Sequence, residues 1–114
     1  MEECLFCNIV LKKISAKIIY ESEQLLAFND IQPQAPIHIL IIPKIHIPTL
    51  NNIEEKHKNL MGELILAASI LAKKFNIDGD GYRTNFNCNA NGGQTVYHIH
   101  LHLLGGRKFS WPPG

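Results

Sequence analysis

Between Tyr97 and Arg107 the chain reads Tyr-His-Ile-His-Leu-His-Leu-Leu-Gly-Gly-Arg. Three of its six histidines fall within five positions there, alternating with Ile99 and Leu101 and followed by Leu103. Alternation at period two calls for a strand with one buried face. His98, His100 and His102 then share one side, and the aliphatic residues share the other. Neighbouring histidines stand about 6–7 Å apart at a rise of about 3.3 Å per residue. Histidine is an uncommon residue, so three on one face ask for a chemical reason. Two remain open at this point. A His-x-His pair on a strand can present two imidazoles to one metal such as zinc. Alternatively, one histidine is a nucleophile, and its neighbours orient it and donate to the substrate.

The bulk properties narrow the classes. At 114 residues the chain predicts a single domain, 1–114, with 109–114 as a C-terminal tail. A hydrophobic fraction of 46% is enough for a packed core, although a core this small gains from oligomerisation. Eleven basic and ten acidic residues leave a net charge of +1, which argues against bulk binding of nucleic acid. No apolar run reaches transmembrane length, the longest candidate being Leu64–Ala72, so no membrane partner is expected. Met1-Glu2-Glu3-Cys4 lacks the basic and apolar pattern of a signal peptide. Three cysteines, two of them in Cys-x-x-Cys, do not make a disulfide framework, and a cytoplasmic protein is the natural expectation.

Taken in order, Cys4-Leu5-Phe6-Cys7 opens a short helix over Cys4–Lys13. The two thiols could be a redox pair, half of a zinc site, or small buried residues. Lys17–Glu21 and Leu25–Asn29 predict a hairpin. Asp30 follows at the strand end, before a loop stiffened by Pro33 and Pro36. It is placed either to accept from a pair of hydroxyls or to cap its loop. Ile37–Pro43 predicts a central strand in which His38 could simply be a core histidine, and His46 lies in the Pro-Lys-Ile-His-Ile-Pro loop beyond it. Asn52 with Glu55 three residues on resembles a capping box, so one long helix is expected from there to about Phe75. Its buried face would carry Leu60, Leu64, Ala67, Ala68, Leu71 and Phe75. His57 is expected to be solvated. Tyr82–Asn87 predicts a strand, and Asn89–Thr95 a polar loop able to offer backbone N–H groups to phosphate. Trp111 in the terminal Trp-Pro-Pro-Gly suggests docking on a surface such as a partner subunit. The fold class is α+β: an antiparallel sheet of about five strands with one long helix on one side and a short N-terminal helix.

His98-Ile99-His100-Leu101-His102-Leu103-Leu104 resembles the motif of the histidine triad (HIT) family, His-φ-His-φ-His-φ-φ with φ apolar. Ala27–Pro36, His38 through His46, Gly92–Tyr97 and the Trp-Pro-Pro-Gly ending resemble its Hint branch, so the likeness covers nearly the whole chain. The galactose-1-phosphate uridylyltransferase branch replaces the third histidine, which His102 retains. The resemblance implies a purine nucleoside phosphoramidase and a two-fold dimer. It assigns His100 as the nucleophile towards the α-phosphorus of an adenosine 5′-phosphoramidate, with a nucleotidyl-histidine intermediate and AMP as product. His102 would bond the phosphate or leaving group, and His38 would sit beside them. Asp30 would take the ribose hydroxyls, Ile31 the base, and Asn87, Gly93 and Thr95 the phosphate. It also implies a structural zinc on Cys4, Cys7, His46 and His98, with no cofactor needed for catalysis. Thr95 stands where serine is common in the branch, and Asn91 where an acidic residue is frequent. The rival expectations are a dinucleoside polyphosphate hydrolase and a zinc-containing nucleotide-binding scaffold.

Overall fold

The structure, a computed structural model, describes residues 3–114. Five strands form one sheet: β1 (Ile18–Glu21), β2 (Leu25–Asn29), β3 (Ile37–Pro43), β4 (Tyr82–Asn85) and β5 (Leu101–Gly105). Every pairing is antiparallel, and the order across the sheet is β1-β2-β3-β5-β4. The two helices are α1 (Leu5–Val10) and α2 (Lys58–Lys74).

The pleat sorts the side chains onto two faces. Leu25 and Ala27 of β2, Ile39 and Ile41 of β3, and Leu101 and Leu103 of β5 pack with Leu64, Ala67, Ala68, Leu71 and Ala72 of α2. Three alanines on that stripe let the helix approach the sheet closely. The opposite face carries Leu26, Phe28, Leu40 and Ile42, covered by Phe6 and Ile9 of α1. His38 and His102 occupy alternate positions on β3 and β5, where Leu40 pairs with His102 and His38 with Leu104. The sheet therefore turns its aliphatic side to the long helix and its histidine side to the short one.

Four elements differ in their bounds from the sequence expectation, and two of the differences have a visible local cause. The ladder of β5 begins at Leu101, opposite Ile41, and not at His98; Pro43, which would face Ile99, has no N–H to donate. The residues before Leu101 bond elsewhere: the Ile99 N–H donates to the Ile47 carbonyl at 2.8 Å. Helix α2 starts at Lys58 and not at Asn52. Two 3₁₀ turns, Leu50–Asn52 and Glu55–His57, occupy the intervening stretch. The Asn52 side chain reaches back to the Thr49 N–H at 3.1 Å, so it closes a turn and does not open the helix. β4 ends at Asn85, and α1 is six residues long with Cys4 at its N-cap. Among the described residues, no helix is long and apolar enough to cross a membrane.

Candidate functional site

The histidine face of the sheet carries two adjoining clusters. One lines an open pocket of about 490 Å³, and the other holds the thiols. His38, His100 and His102 line the pocket, together with Asp30, Ile31, Asn87, Gly93 and Thr95. Every pocket residue expected from the sequence is thus brought to one place.

Fixed donors and acceptors set the imidazole tautomers. The Gln34 backbone N–H donates to His38 Nδ1 at 3.0 Å, so neutral His38 carries its proton on Nε2. That Nε2 lies 2.9 Å from His102 Nδ1 and 3.4 Å from Asp30 Oδ2. A donor at His38 Nε2 makes His102 Nδ1 the acceptor and leaves the His102 proton on Nε2. His100 Nδ1 donates to the His98 carbonyl at 2.8 Å, which leaves its Nε2 as a bare lone pair. Burial is the main force lowering the pKa of all three; that of His102 is pushed down to about 4, with His100 and His38 adding to the effect. Near neutral pH the pocket presents neutral imidazoles: one free nitrogen at His100 and one N–H donor at His102.

Of the two roles expected for Asp30, the geometry displays the capping one. One carboxylate oxygen accepts the Gln32 N–H at 2.8 Å, which caps the loop, and the other faces His38. Asp30, His38 and His102 lie close enough to suggest a metal site. The proton on His38 Nε2 makes this a hydrogen-bonded group instead. Asn87 donates through its side-chain amide to the Gly92 carbonyl at 2.7 Å. A Cβ at Gly92 would collide with the Cys88 backbone, and Gly93 adopts φ +79°. The Gly93 and Gln94 amides are already donated within the loop, to Ala90 and Asn89. The expected N–H cradle for phosphate is therefore narrower than the loop's composition suggests.

The second cluster is Cys4, Cys7, His46 and His98, whose candidate ligand atoms all lie within 4.8 Å of one another. His98 is fully buried, and its Nε2 donates to the Pro43 carbonyl at 2.8 Å. Its Nδ1 lone pair faces Cys4 Sγ at 3.3 Å, Cys7 Sγ at 3.5 Å and His46 Nδ1 at 3.3 Å. Cys7 Sγ lies 3.4 Å from His46 Nδ1. A tetrahedral zinc with bonds of about 2.0 Å to nitrogen and about 2.3 Å to sulfur has N···N edges of about 3.3 Å and N···S edges of about 3.5 Å. The donor set fits that polyhedron in both chemistry and spacing, and the Pro43 carbonyl supplies the outer contact that orients a ligating histidine. Burial pushes the Cys7 thiol pKa up and those of His46 and His98 down, His98 to about 4.

Some residues that complete the site carry no motif. Leu5, Phe6 and Ile9 of α1, with Ile14, Ser15 and Ala16, wall the pocket from the N-terminal side. Gln94 is buried and donates to the Pro48 and Val96 carbonyls, which frames the loop before the histidines. The Gly-Gly-Gln-Thr string is the one sequence signal that pointed towards it. Cys88 is half-buried beside Asn87, and His57 accepts the Glu54 N–H through Nδ1 on an exposed turn.

With this geometry in place, the HIT domain profile matches residues 12–109. The chain belongs to the HIT family. It is 49% identical over 106 residues to the purine nucleoside phosphoramidase of Escherichia coli K12, covering 93% of this chain and 89% of that one. It is 48% identical over 112 residues to a 14 kDa zinc-binding protein of Zea mays, covering 96% and 87%. The crystal structure of a HIT family hydrolase from Legionella pneumophila superposes with a TM-score of 0.97 at 50% identity, covering 98% of this chain and all of that one. A histidine triad protein from Clostridium difficile superposes at 0.93 with 37% identity over 96% of each chain. The chain is accordingly a hydrolase of the HIT family, and its five-stranded sheet with one long helix is the fold of those relatives.

Proposed function

We propose that this HIT hydrolase cleaves purine nucleoside 5′-phosphoramidates of the adenosine type to AMP and an amine, through a nucleotidyl-histidine. The observation that carries the proposal is the His100 ring. Its Nδ1 is spent on the His98 carbonyl, and its Nε2 lone pair belongs to a neutral imidazole in the pocket. His100 Nε2 forms a bond to the α-phosphorus as the bond to the amine nitrogen breaks. Water then displaces the imidazole and releases AMP. Splitting one displacement into two lowers each barrier. His102 donates through Nε2–H to the phosphate or leaving group, and His38 holds that tautomer. Asp30 receives the ribose hydroxyls, Ile31 covers the base, and Asn87, Gly93 and Thr95 surround the phosphate. Ile31 is 94% exposed beside the pocket, which suits a residue awaiting a flat apolar partner. The name of the Escherichia coli relative supports this substrate class.

The test is turnover of adenosine 5′-phosphoramidate against diadenosine tetraphosphate by the purified protein. Preference for the phosphoramidate by at least about tenfold, or 1.4 kcal/mol in kcat/KM, is expected. Preference for the dinucleotide would move the chain to the polyphosphate hydrolases. AMP binding without turnover of either would leave a nucleotide-binding scaffold.

Zinc on Cys4, Cys7, His46 and His98 is part of the proposal, as a closed structural site that ties α1 to the residues leading into β5. The fit of the donors and the zinc-binding relative from maize support it. We also propose a two-fold dimer. Ile65, Leu66 and Ile70 stand 51–55% exposed on the outer face of α2, and β4 is an edge strand. Trp111 adds an 84% exposed indole. Light scattering after gel filtration should give twice the chain mass, and Leu66→Glu should shift it to one. A wild-type monomer would sink the dimer.

A further inference from the structure

Phe6 lies between the two thiols in sequence and between the two clusters in space. It is 4% exposed. Its ring meets His98 with centroids 5.9 Å apart at 69°, His100 at 5.1 Å and 90°, and Phe28 at 5.4 Å and 73°. All three contacts are edge-to-face, the geometry that aromatic quadrupoles favour. His98 is a member of the thiol–imidazole cluster, whereas His100 and Phe28 line the pocket.

A helix of six residues does not hold itself together, so α1 depends on what pins it. Its N-cap is Cys4, whose sulfur accepts the Cys7 N–H at 3.3 Å, and the same two sulfurs face His98. Packing on Leu26, Phe28, Leu40 and Ile42 holds the apolar side of α1, and whatever holds the sulfurs fixes the turn that carries Phe6. His100 in turn has one hydrogen bond, from Nδ1 to the His98 carbonyl, and its ring also meets that of His102 with centroids 4.9 Å apart at 60°. An imidazole held by one hydrogen bond can still rock about it, and in-line attack tolerates only about 10–20° of misdirection. The perpendicular Phe6 ring restrains the same ring from the α1 side, beside the contact with His102.

We propose that Phe6 is a positioning residue for His100, and that the Cys4, Cys7, His46 and His98 centre acts on the reaction by clamping α1 so that Phe6 braces the nucleophile. The inference rests on the assignment of His100 as nucleophile. It adds a role for the centre, which touches no substrate: occupancy of the centre sets the rate at a pocket one ring away.

The experiment compares wild type, Phe6→Ala and Phe6→Leu, each zinc-loaded and each stripped with a chelator under reducing conditions. Three quantities are read: kcat and KM for adenosine 5′-phosphoramidate, the Kd for AMP, and the ¹⁵N imidazole spectrum of His100. In Phe6→Ala, kcat should fall ten- to a hundredfold while KM and Kd move less than threefold, and Phe6→Leu should recover most of the loss. The Nδ1–H signature of His100, sharp in the loaded wild type, should broaden in Phe6→Ala and in stripped wild type. Stripping should lower kcat in wild type but add little in Phe6→Ala, because both act through one contact. An unchanged kcat, a loss confined to KM and Kd, or an equal effect of stripping in both proteins would overturn the proposal. If Phe6→Ala does not fold, Phe6→Val, which keeps an apolar side chain but loses the ring and its reach to His100, takes its place in the same comparison. A wild type that turns over no phosphoramidate counts against the function, whereas the His100 spectra still decide the bracing.

Discussion

His100→Ala is expected to lower phosphoramidate turnover by at least about 10⁴-fold while leaving AMP affinity within about threefold. The asymmetry follows from where the ring is engaged. Its one hydrogen bond goes to the backbone two residues before it, at the His98 carbonyl, and the ring is buried against Phe6. Asp30 caps its own loop through the Gln32 N–H, a bond that does not involve His100. The alanine variant therefore keeps the base and ribose walls and loses the atom that would bond to phosphorus. Without a nucleophile the reaction must proceed by direct attack of water, in a site shaped for a two-step path. His102→Ala should cost less, about 10²–10³-fold, since it removes a donor and not the bond-forming atom. Its loss also leaves the His38 Nε2–H without its 2.9 Å partner, so part of the cost is misplacement of His38. The measurement is single-turnover release of AMP with isothermal titration of AMP alongside. Turnover within a hundredfold of wild type in His100→Ala would refute the covalent path. A matching collapse of AMP binding would make the residue structural.

Much of this site was visible in the chain because the residues that carry it sit in a pattern with a period. The alternation of His98, His100 and His102 with Ile99, Leu101 and Leu103 states which face each belongs to, and the core confirms it: Leu101 and Leu103 pack under α2, and the histidines do not. His38 was ambiguous for a physical reason. A histidine in an apolar strand looks the same from sequence whether its partner is a core carbonyl or another imidazole, and its partner His102 lies 64 positions away. The tautomers were out of reach for the same reason, since they depend on the backbone groups of Gln34, His98 and Pro43, which any residue type could supply. Phe6 left no trace, because an aromatic residue between two cysteines on a short helix has no periodicity to mark its direction. The start of α2 was misplaced because Asn52 and Glu55 satisfy the capping spacing while Thr49 claims the Asn52 side chain first.

Cys4→Ala with Cys7→Ala is expected to take bound zinc from one equivalent per chain to none, and to lower the melting temperature by roughly 10 °C, the size of a loss of about 2–3 kcal/mol in a domain of this length. Four potential ligand atoms converge in this cluster. The Pro43 carbonyl fixes the His98 proton on Nε2, so the Nδ1 lone pair is aimed at His46 Nδ1 3.3 Å away and at two sulfurs. Thiol protons can satisfy part of this, but burial leaves the sulfurs few other partners. A divalent ion satisfies all four atoms at once, and the deprotonation it drives offsets the rise that burial imposes on Cys7. Removing both sulfurs leaves two imidazoles, too few for a closed site, and frees the N-cap of α1. Hydrogen exchange over residues 5–10 should therefore accelerate in the double variant and stay unchanged in β3 at the sheet centre. Elemental analysis decides the site. One equivalent of zinc retained by the double variant would move the metal away from the thiols and reopen Asp30, His38 and His102 as its ligands. That would require His38 to surrender the Nε2 proton that the Gln34 N–H places there.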